Sequence, residues 1–335
     1  MTYFIAEIGV NHNGSIHLAK KLILAAKKSG ANAVKFQSFV SDEVVVKTLK
    51  LAPYQGKNLK KKSTRMVDMI KKYELSYNQQ KLLYNFCKVR KIDFLSSPFD
   101  LDSAKFLVEN LKLKTIKIPS GEITNFLLLE YLSNFKINII LSTGMSTINE
   151  ITQSINLLKS KNKISNQNIT LLHCNTSYPT NIFDVNLKAM LTLKKIFKVK
   201  IGYSDHTNSK LVGLIAVSLG ASIVEKHITL NKSFVGPDHK ASFLPSEFKE
   251  LVNLAKDAKI ILGNEDKFIS NSEKVNIYYA RKSLVAKKNI LKGQRFNLDN
   301  ITAKRPFGGI SPMKIKKIIG KRSRYFFRKD DLIKL

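Results

Sequence analysis

A chain of 335 residues that is 44% hydrophobic has the length for one large domain with a small companion, and none of its apolar runs is long enough to span a membrane. Two cysteines, Cys87 and Cys174, exclude a disulfide framework and a zinc-type spacing; the N-terminus enters a strand pattern at once, without the basic and long apolar regions of a signal peptide, and a cytoplasmic protein with no membrane partner is predicted. The formal net charge of +32 sits on lysines spread along the polar faces of helix patterns, in a chain rich in Asn and Ile, which argues against nucleic acid as a partner but leaves an electrostatic pull on small anions.

A strand pattern at 3–8 is followed by an amphipathic helix pattern at 16–29, and the alternation then repeats. Further strands are predicted at 33–36, 93–96, 115–118, 138–141, 170–173, 200–202 and 222–225. Helix patterns fall at 77–90, 101–111, 126–132, 148–159, 185–197, 209–219 and 245–262, the last with Ser246 as its expected N-cap. Eight strands alternating with helices within residues 1–263 predict a (β/α)8 TIM barrel, with a doubly wound open sheet as the alternative. Between the second and third strands a long insert, 38–76, reads as a functional lid; its run Lys60-Lys61-Lys62 reads as a solvated face. Residues 264–276 are polar and read as a linker. Residues 277–335 form a second small module of short strands and turns with a possible helix at 312–319, and it contains the densest basic stretch, 314–324.

In such a barrel chemistry collects where the strands end. The ends carry Glu7, Lys35 and Gln37, Ser97, Lys117 with Ser120 and Glu122, Ser142, Cys174 with Tyr178, Ser204 with His206, and His227. The seventh and eighth strands each end in a histidine, in Gly202-Tyr-Ser-Asp-His206 and Glu225-Lys-His227, and adjacent strand ends can share a metal ion completed by oxygen ligands or water. Buried lysines with serine hydroxyls suit phosphate or carboxylate oxygens. Glu7 and Glu122 suit ion pairing with those lysines or acid–base work. His12 sits in a tight turn, His17 on a helix face and His173 inside a strand, and none is a strong ligand candidate; His239 is a loop residue within reach of a substrate. These residues point to a divalent metal and a strongly anionic substrate such as a phosphate ester, and leave the reaction open.

At these positions the chain resembles the sialic acid synthase family. The likeness is carried by Ala6-Glu-Ile-Gly-Val-Asn-His-Asn-Gly14, Val34-Lys-Phe-Gln37, Lys117-Ile-Pro-Ser-Gly-Glu122, Leu141-Ser-Thr-Gly-Met145, Gly202-Tyr-Ser-Asp-His-Thr207, Glu225-Lys-His227 and Gly236-Pro-Asp-His239, in that order along the barrel. Lys304-Arg-Pro306 and its surroundings resemble the antifreeze-like (SAF) domain of these synthases. Phe94-Leu-Ser-Ser-Pro-Phe-Asp100, Gly121-Glu-Ile-Thr-Asn125 and His173-Cys-Asn-Thr-Ser-Tyr-Pro-Thr180 are most similar to N,N'-diacetyllegionaminate synthases, with N-acetylneuraminate and pseudaminate synthases as the nearest alternatives.

The resemblance implies a transferase that condenses phosphoenolpyruvate with an N-acylated mannosamine-type sugar to give a nonulosonic acid and phosphate. It implies Mn2+ or another divalent ion on His206 and His227, polarising the aldehyde of the open-chain sugar. Carbon 3 of phosphoenolpyruvate attacks that aldehyde, water adds at carbon 2, and phosphate leaves by C–O cleavage. Lys35, Ser97, Lys117, Ser120, Ser142 and Ser204 would hold phosphate and carboxylate, Gln37, Tyr178 and Asp238 the sugar hydroxyls, and Glu7 and Glu122 would be the acid–base candidates. Arg305 would reach into the barrel of a second subunit and meet the N-acyl group, which implies a domain-swapped homodimer. The chain departs from the family pattern around Asn58, at Thr176, which favours a sugar other than N-acetylmannosamine, and at Val235. A synthase of shorter 3-deoxy-ulosonic acids is the same-class rival, which the Lys304-Arg-Pro306 module argues against. A basic protein binding an anionic polymer is the rival from another class.

Overall fold

The computed structural model of the chain describes residues 2–52, 55–56 and 65–335. The chain divides into two compact units, Met1–Gly263 and Asn264–Leu335.

In the first unit the strands are β1 (Tyr3–Gly9), β2 (Ala33–Ser38), β3 (Asp93–Pro98), β4 (Thr115–Ile118), β5 (Asn138–Ser142), β6 (Ile169–Cys174), β7 (Lys200–Asp205) and β8 (Ile223–His227). They pair in parallel in the order β3-β2-β1-β8-β7-β6-β5-β4. The two ends of that order, β3 and β4, lie against each other, so the sheet nearly closes into a TIM-like barrel and the open doubly wound alternative is set aside.

The two-residue period of a strand explains the layering. One set of side chains, including Ile5, Ala33, Leu95, Ile140, Leu172 and Ile223, packs inside the barrel as an apolar plug. The alternate set, such as Phe4, Val34, Ile116, Ile139, Leu171 and Val224, faces the surrounding helices and joins the main core; each such fully buried side chain stabilises the fold by about 2 kcal/mol. At Gly202 a Cβ would lie 2.4 Å from the Ile223 carbonyl oxygen and 2.6 Å from Leu172 Cδ2, so β7 needs glycine there to lie against β8.

Helices follow the predicted pattern closely. Ser15 caps Ile16–Lys28, and Ser76 with Gln79 and Thr147 with Glu150 form capping boxes on Tyr77–Arg90 and Ile148–Lys159. One expected cap is corrected: Pro245–Leu262 starts at its proline, Leu244 is the N-cap, and Ser246 is already inside the first turn. The 101–111 helix pattern becomes Leu101–Lys105 running into a π-helical turn, Phe106–Asn110. Cys87 is buried in the main core.

Among its described residues the insert carries the short helices Ser41–Val44 and Met66–Ile70, beside a small apolar cluster of Val10, Phe39, Met69 and Tyr73. Asn58 and Lys60 to Lys62 lie outside the described residues. In the second unit β9 (Ser283–Ala286) pairs antiparallel with β10 (Ile301–Lys304) over a core that includes Leu284, Ile290, Phe296, Ile318 and Phe327. Part of the segment read as a linker is helical, Asn271–Ala280, capped by Ser270 and Glu273. The possible helix at 312–319 is a 3-10 turn, Pro312–Lys317. No helix among the described residues is long and apolar enough to cross a membrane.

Candidate active site

Counting two residues up each strand from the apolar plug gives Glu7, Lys35, Ser97, Lys117, Ser142, Cys174, Ser204 and Glu225, all buried and all lining one cavity of about 550 Å3 at the C-terminal ends of the strands. Strand register sets their neighbours: Glu7 lies beside Lys35 and His227, and Ser204 beside Cys174 and Glu225.

Four of these side chains form a charged floor. Lys35 Nζ lies 3.0 Å from Glu7 Oε2, 3.5 Å from Glu225 Oε1 and 3.1 Å from Ser97 Oγ. Lys117 Nζ lies 3.4 Å from Glu225 Oε1, which also accepts a hydrogen bond from Ser204 Oγ at 3.1 Å. The two carboxyls are driven apart. Burial raises the Glu7 carboxyl to about 7, offset in part by Lys35 and reinforced by the charge of Glu225. Burial pushes Glu225 the same way, but Lys117 and Lys35 outweigh it and hold that carboxyl below its ordinary value. Burial lowers Lys117, whereas at Lys35 the carboxylates of Glu225 and Glu7 outweigh burial and raise it. Glu225 is thus the fixed counter-ion, and Glu7 the group poised to exchange a proton near neutral pH.

Ser120 joins the floor from the turn Ser120–Glu122: its Oγ accepts from the Gly144 N–H at 2.9 Å and lies 3.2 Å from Cys174 Sγ. A Cβ on Gly144 would lie 2.8 Å from Thr176 Cγ2 and 2.9 Å from that Oγ, so a side chain here would have to displace Thr176 or Ser120.

Above the floor the rings of His206 and His227 stand 5.5 Å apart. The Asn175 carbonyl accepts from His206 Nδ1 at 2.6 Å, which places the proton there and leaves Nε2 with its lone pair, 3.4 Å from Ser204 Oγ. Burial lowers His206 to about 3 and lowers His227 well below the ordinary imidazole value, with the charges of His206 and Lys35 adding to the second effect. His227 Nδ1 is buried without a hydrogen-bond partner among the described residues, and Asp238 Oδ2 lies 3.8 Å from it. Two neutral imidazoles, one oriented by a carbonyl and one with an unsatisfied nitrogen, fit a divalent cation completed by water or substrate oxygens. Among the described residues no group of three or more His, Cys, Asp or Glu could hold a metal, so protein supplies only part of that shell. The Tyr178 ring packs 4.1 Å from His206 and edge-on to His227, and Gln37 Nε2 donates to Glu7 Oε1 at 3.4 Å.

Glu7, Lys35, Gln37, Ser97, Lys117, Ser120, Ser142, Tyr178, Ser204, His206, His227 and Asp238 are therefore brought to one cavity. Glu122 is not: it is half-buried, its Oε2 accepts from Asn125 Nδ2 at 2.6 Å, and it does not line the cavity. Arg305 belongs to the second unit, exposed, with its Nε donating to the Ala280 carbonyl at 3.1 Å. Val235 is exposed. Three of the other histidines have structural partners: His12 Nδ1 accepts from the Gly14 N–H, His173 bonds the Val185 carbonyl, and His239 joins Thr229 to Asn13. Glu225 was missed as a functional residue, although counting back two from His227 finds it. Lys226 points the other way, paired with Asp205 at 3.1 Å and placed over the Phe243 ring.

Residues 22–267 match the NeuB family and residues 281–335 match the SAF domain. N,N'-diacetyllegionaminic acid synthase of Campylobacter jejuni is 48% identical over 99% of this chain and 99% of that protein. The enzyme of the same name from Legionella pneumophila is 43% identical over 96% of this chain and 90% of that one. Among solved structures, N-acetylneuraminic acid (sialic acid) synthetase of Leptospira borgpetersenii superposes with a TM-score of 0.72 at 33% identity, covering 83% of this chain and 90% of that chain.

Proposed function

This chain belongs to the NeuB family, and we propose that it condenses phosphoenolpyruvate with 2,4-diacetamido-2,4,6-trideoxymannose to give N,N'-diacetyllegionaminic acid and phosphate. The observation that carries the reading is the placement of two neutral imidazoles, His206 and His227, beside each other above a floor holding two buried lysines, all in one cavity. The choice of sugar is supported by 48% and 43% identity to two legionaminic acid synthases, against 33% to the neuraminic acid synthetase.

Lys35 and Lys117, with Ser97, Ser120, Ser142 and Ser204, bind the phosphate and carboxylate of phosphoenolpyruvate, replacing water around those anions with fixed donors. Mn2+ or another divalent ion, held by His206 and His227, supplies Lewis acidity at the sugar aldehyde. Glu7, wedged between Lys35 and Gln37, orders the aldehyde or the water that adds at carbon 2, and Glu122, whose Oε2 accepts from Asn125 Nδ2, is the second acid–base candidate. Gln37, Tyr178 and Asp238 orient the sugar. Arg305 completes the site of a second copy in a domain-swapped homodimer and meets the N-acyl group. Synthesis takes place in the cytoplasm.

The test incubates the pure protein with Mn2+, phosphoenolpyruvate and, separately, N-acetylmannosamine, 2,4-diacetamido-2,4,6-trideoxymannose and its altrose isomer, following phosphate release and product mass. Fastest turnover is expected with the trideoxymannose. Preference for either other sugar moves the protein to the neuraminate or pseudaminate reaction, and no phosphate release with any of them overturns the reading.

A further inference from the structure

The cavity has two unlike halves. Its floor is the charged layer. On the side of β1 to β3, the insert supplies Val44, Met66, Met69 and Ile70, and among the described residues of 39–73 the only polar lining groups are Gln55 and Tyr73. The Gln55 side-chain oxygen is already engaged by the Ala52 N–H at 3.0 Å. This apolar wall begins next to the histidines: Val10 packs with Met69 and Tyr73, and at the preceding Gly9 a Cβ would lie 3.4 Å from His227 Cε1. On the proposed reaction, a sugar whose carbonyl carbon lies at His206 and His227 has this wall in the same cavity to receive its far carbons.

A hydroxyl pressed against the Val44, Met66, Met69 and Ile70 side chains loses water and gains no partner from them, whereas a methyl group gains contact. We infer that the wall formed by Val44, Met66, Met69 and Ile70 is the specificity determinant for the sugar, selecting a hexose whose far end carries methyl groups, a 6-deoxy carbon and an acylated 4-amino group, over a hexose with free hydroxyls there. This deepens the proposed reaction and rests on it for the identity of the sugar. The floor recognises phosphoenolpyruvate in either case, so the wall acts on one substrate and leaves the other untouched.

The experiment replaces wall side chains by polar ones of similar size, Val44→Thr and Met66→Gln, both half-buried and lining the cavity. kcat/KM is measured for 2,4-diacetamido-2,4,6-trideoxymannose and for N-acetylmannosamine, with the KM for phosphoenolpyruvate and the thermal unfolding midpoint. Discrimination between the two sugars is expected to fall about 10-fold in each variant, the size of a misplaced small group in an apolar pocket, with the phosphoenolpyruvate KM unchanged. Equal losses for both sugars, or unchanged discrimination in both variants, overturn the inference. A variant with a lowered unfolding midpoint is judged by the same ratio, which general destabilisation does not move. Should the wild type condense neither sugar, the proposed reaction fails on its own. The wall is then read from calorimetric binding of the two non-reactive alditols: tighter binding of the deoxy diacetamido alditol, weakened in the variants, supports it, and equal affinities in the wild type overturn it.

Discussion

Replacing Glu225 by Gln tests the charge arrangement of the floor. The amide keeps the shape and can still accept from Ser204 Oγ, 3.1 Å away, but it removes the charge that faces Lys117 at 3.4 Å and Lys35 at 3.5 Å. Lys35 retains Glu7 at 3.0 Å; Lys117 has no second carboxylate within ion-pair distance among the described residues. At an effective dielectric of about 20, each pair at this separation is worth about 5 kcal/mol before desolvation. Leaving one buried ammonium unpaired therefore costs about 3–5 kcal/mol net, a large part of a stability of about 5–15 kcal/mol.

The loss is read by urea unfolding at pH 7, and two further observations identify its source. In the variant the folded Lys117 has a pKa held below its unfolded value by burial. The folded state then binds fewer protons than the unfolded one, stability rises with pH up to the unfolded pKa of about 10.4, and the deficit narrows as pH is raised. In the proposed binding mode phosphoenolpyruvate brings the missing negative charge to both lysines, so saturating ligand is expected to raise the unfolding midpoint of the variant more than that of the wild type. A deficit below about 1 kcal/mol, or equal ligand-induced shifts, would mean that Glu225 is not the counter-ion of a charged floor.

Three other outcomes follow from the geometry. His206→Ala and His227→Ala are each expected to reduce kcat at least about 100-fold, more than loss of a supporting partner costs, while the unfolding midpoint stays near wild type; full activity in either variant sinks the metal assignment. Arg305→Ala is expected to raise the KM for the sugar more than that for phosphoenolpyruvate, and equal effects on both argue against a contact with the N-acyl group. Burial lowers the His12 imidazole to about 4; because the folded value lies below the unfolded one of about 6.5, its contribution is complete above that pH and is lost as pH falls toward 4, amounting to about 3 kcal/mol. The stability of His12→Asn, whose side chain can still accept from the Gly14 N–H, should fall less steeply over that range by up to one proton, and identical slopes would rule this out.

What could be read from the sequence follows from which forces set each part. All eight barrel strands are visible as apolar runs, yet the structure extends several of them at the C-terminal end: 200–202 becomes Lys200–Asp205, and 222–225 becomes Ile223–His227. The lumen-facing added residues are polar because a strand alternates between the helix layer and the lumen, and near the mouth the lumen is the candidate site. Tyr203 therefore packs outward in the core while Ser204 faces the cavity. The same alternation makes Glu225 readable from His227, and it was overlooked because a carboxylate just inside a strand end draws less notice than the histidine after it. The placing of Glu122 was not readable in this way: a 3-10 turn brings it to Asn125, and no periodicity reports such a turn.

The wall was not legible, and the reason bears on how substrate choice is built. The floor depends on register along parallel strands, a local rule that every strand obeys independently, so the proposed phosphoenolpyruvate site is written in short motifs. The wall depends on Val10, Phe39 and Met69 meeting from three separate segments, and in sequence these are ordinary apolar residues in a long insert. A change in the insert alters the surface facing the sugar without moving any strand, and so without disturbing Lys35, Lys117 or the histidines. The reaction and the choice of sugar are thus carried by structurally separable parts, which is why the wall variants are expected to shift the ratio between sugars and leave phosphoenolpyruvate binding unchanged.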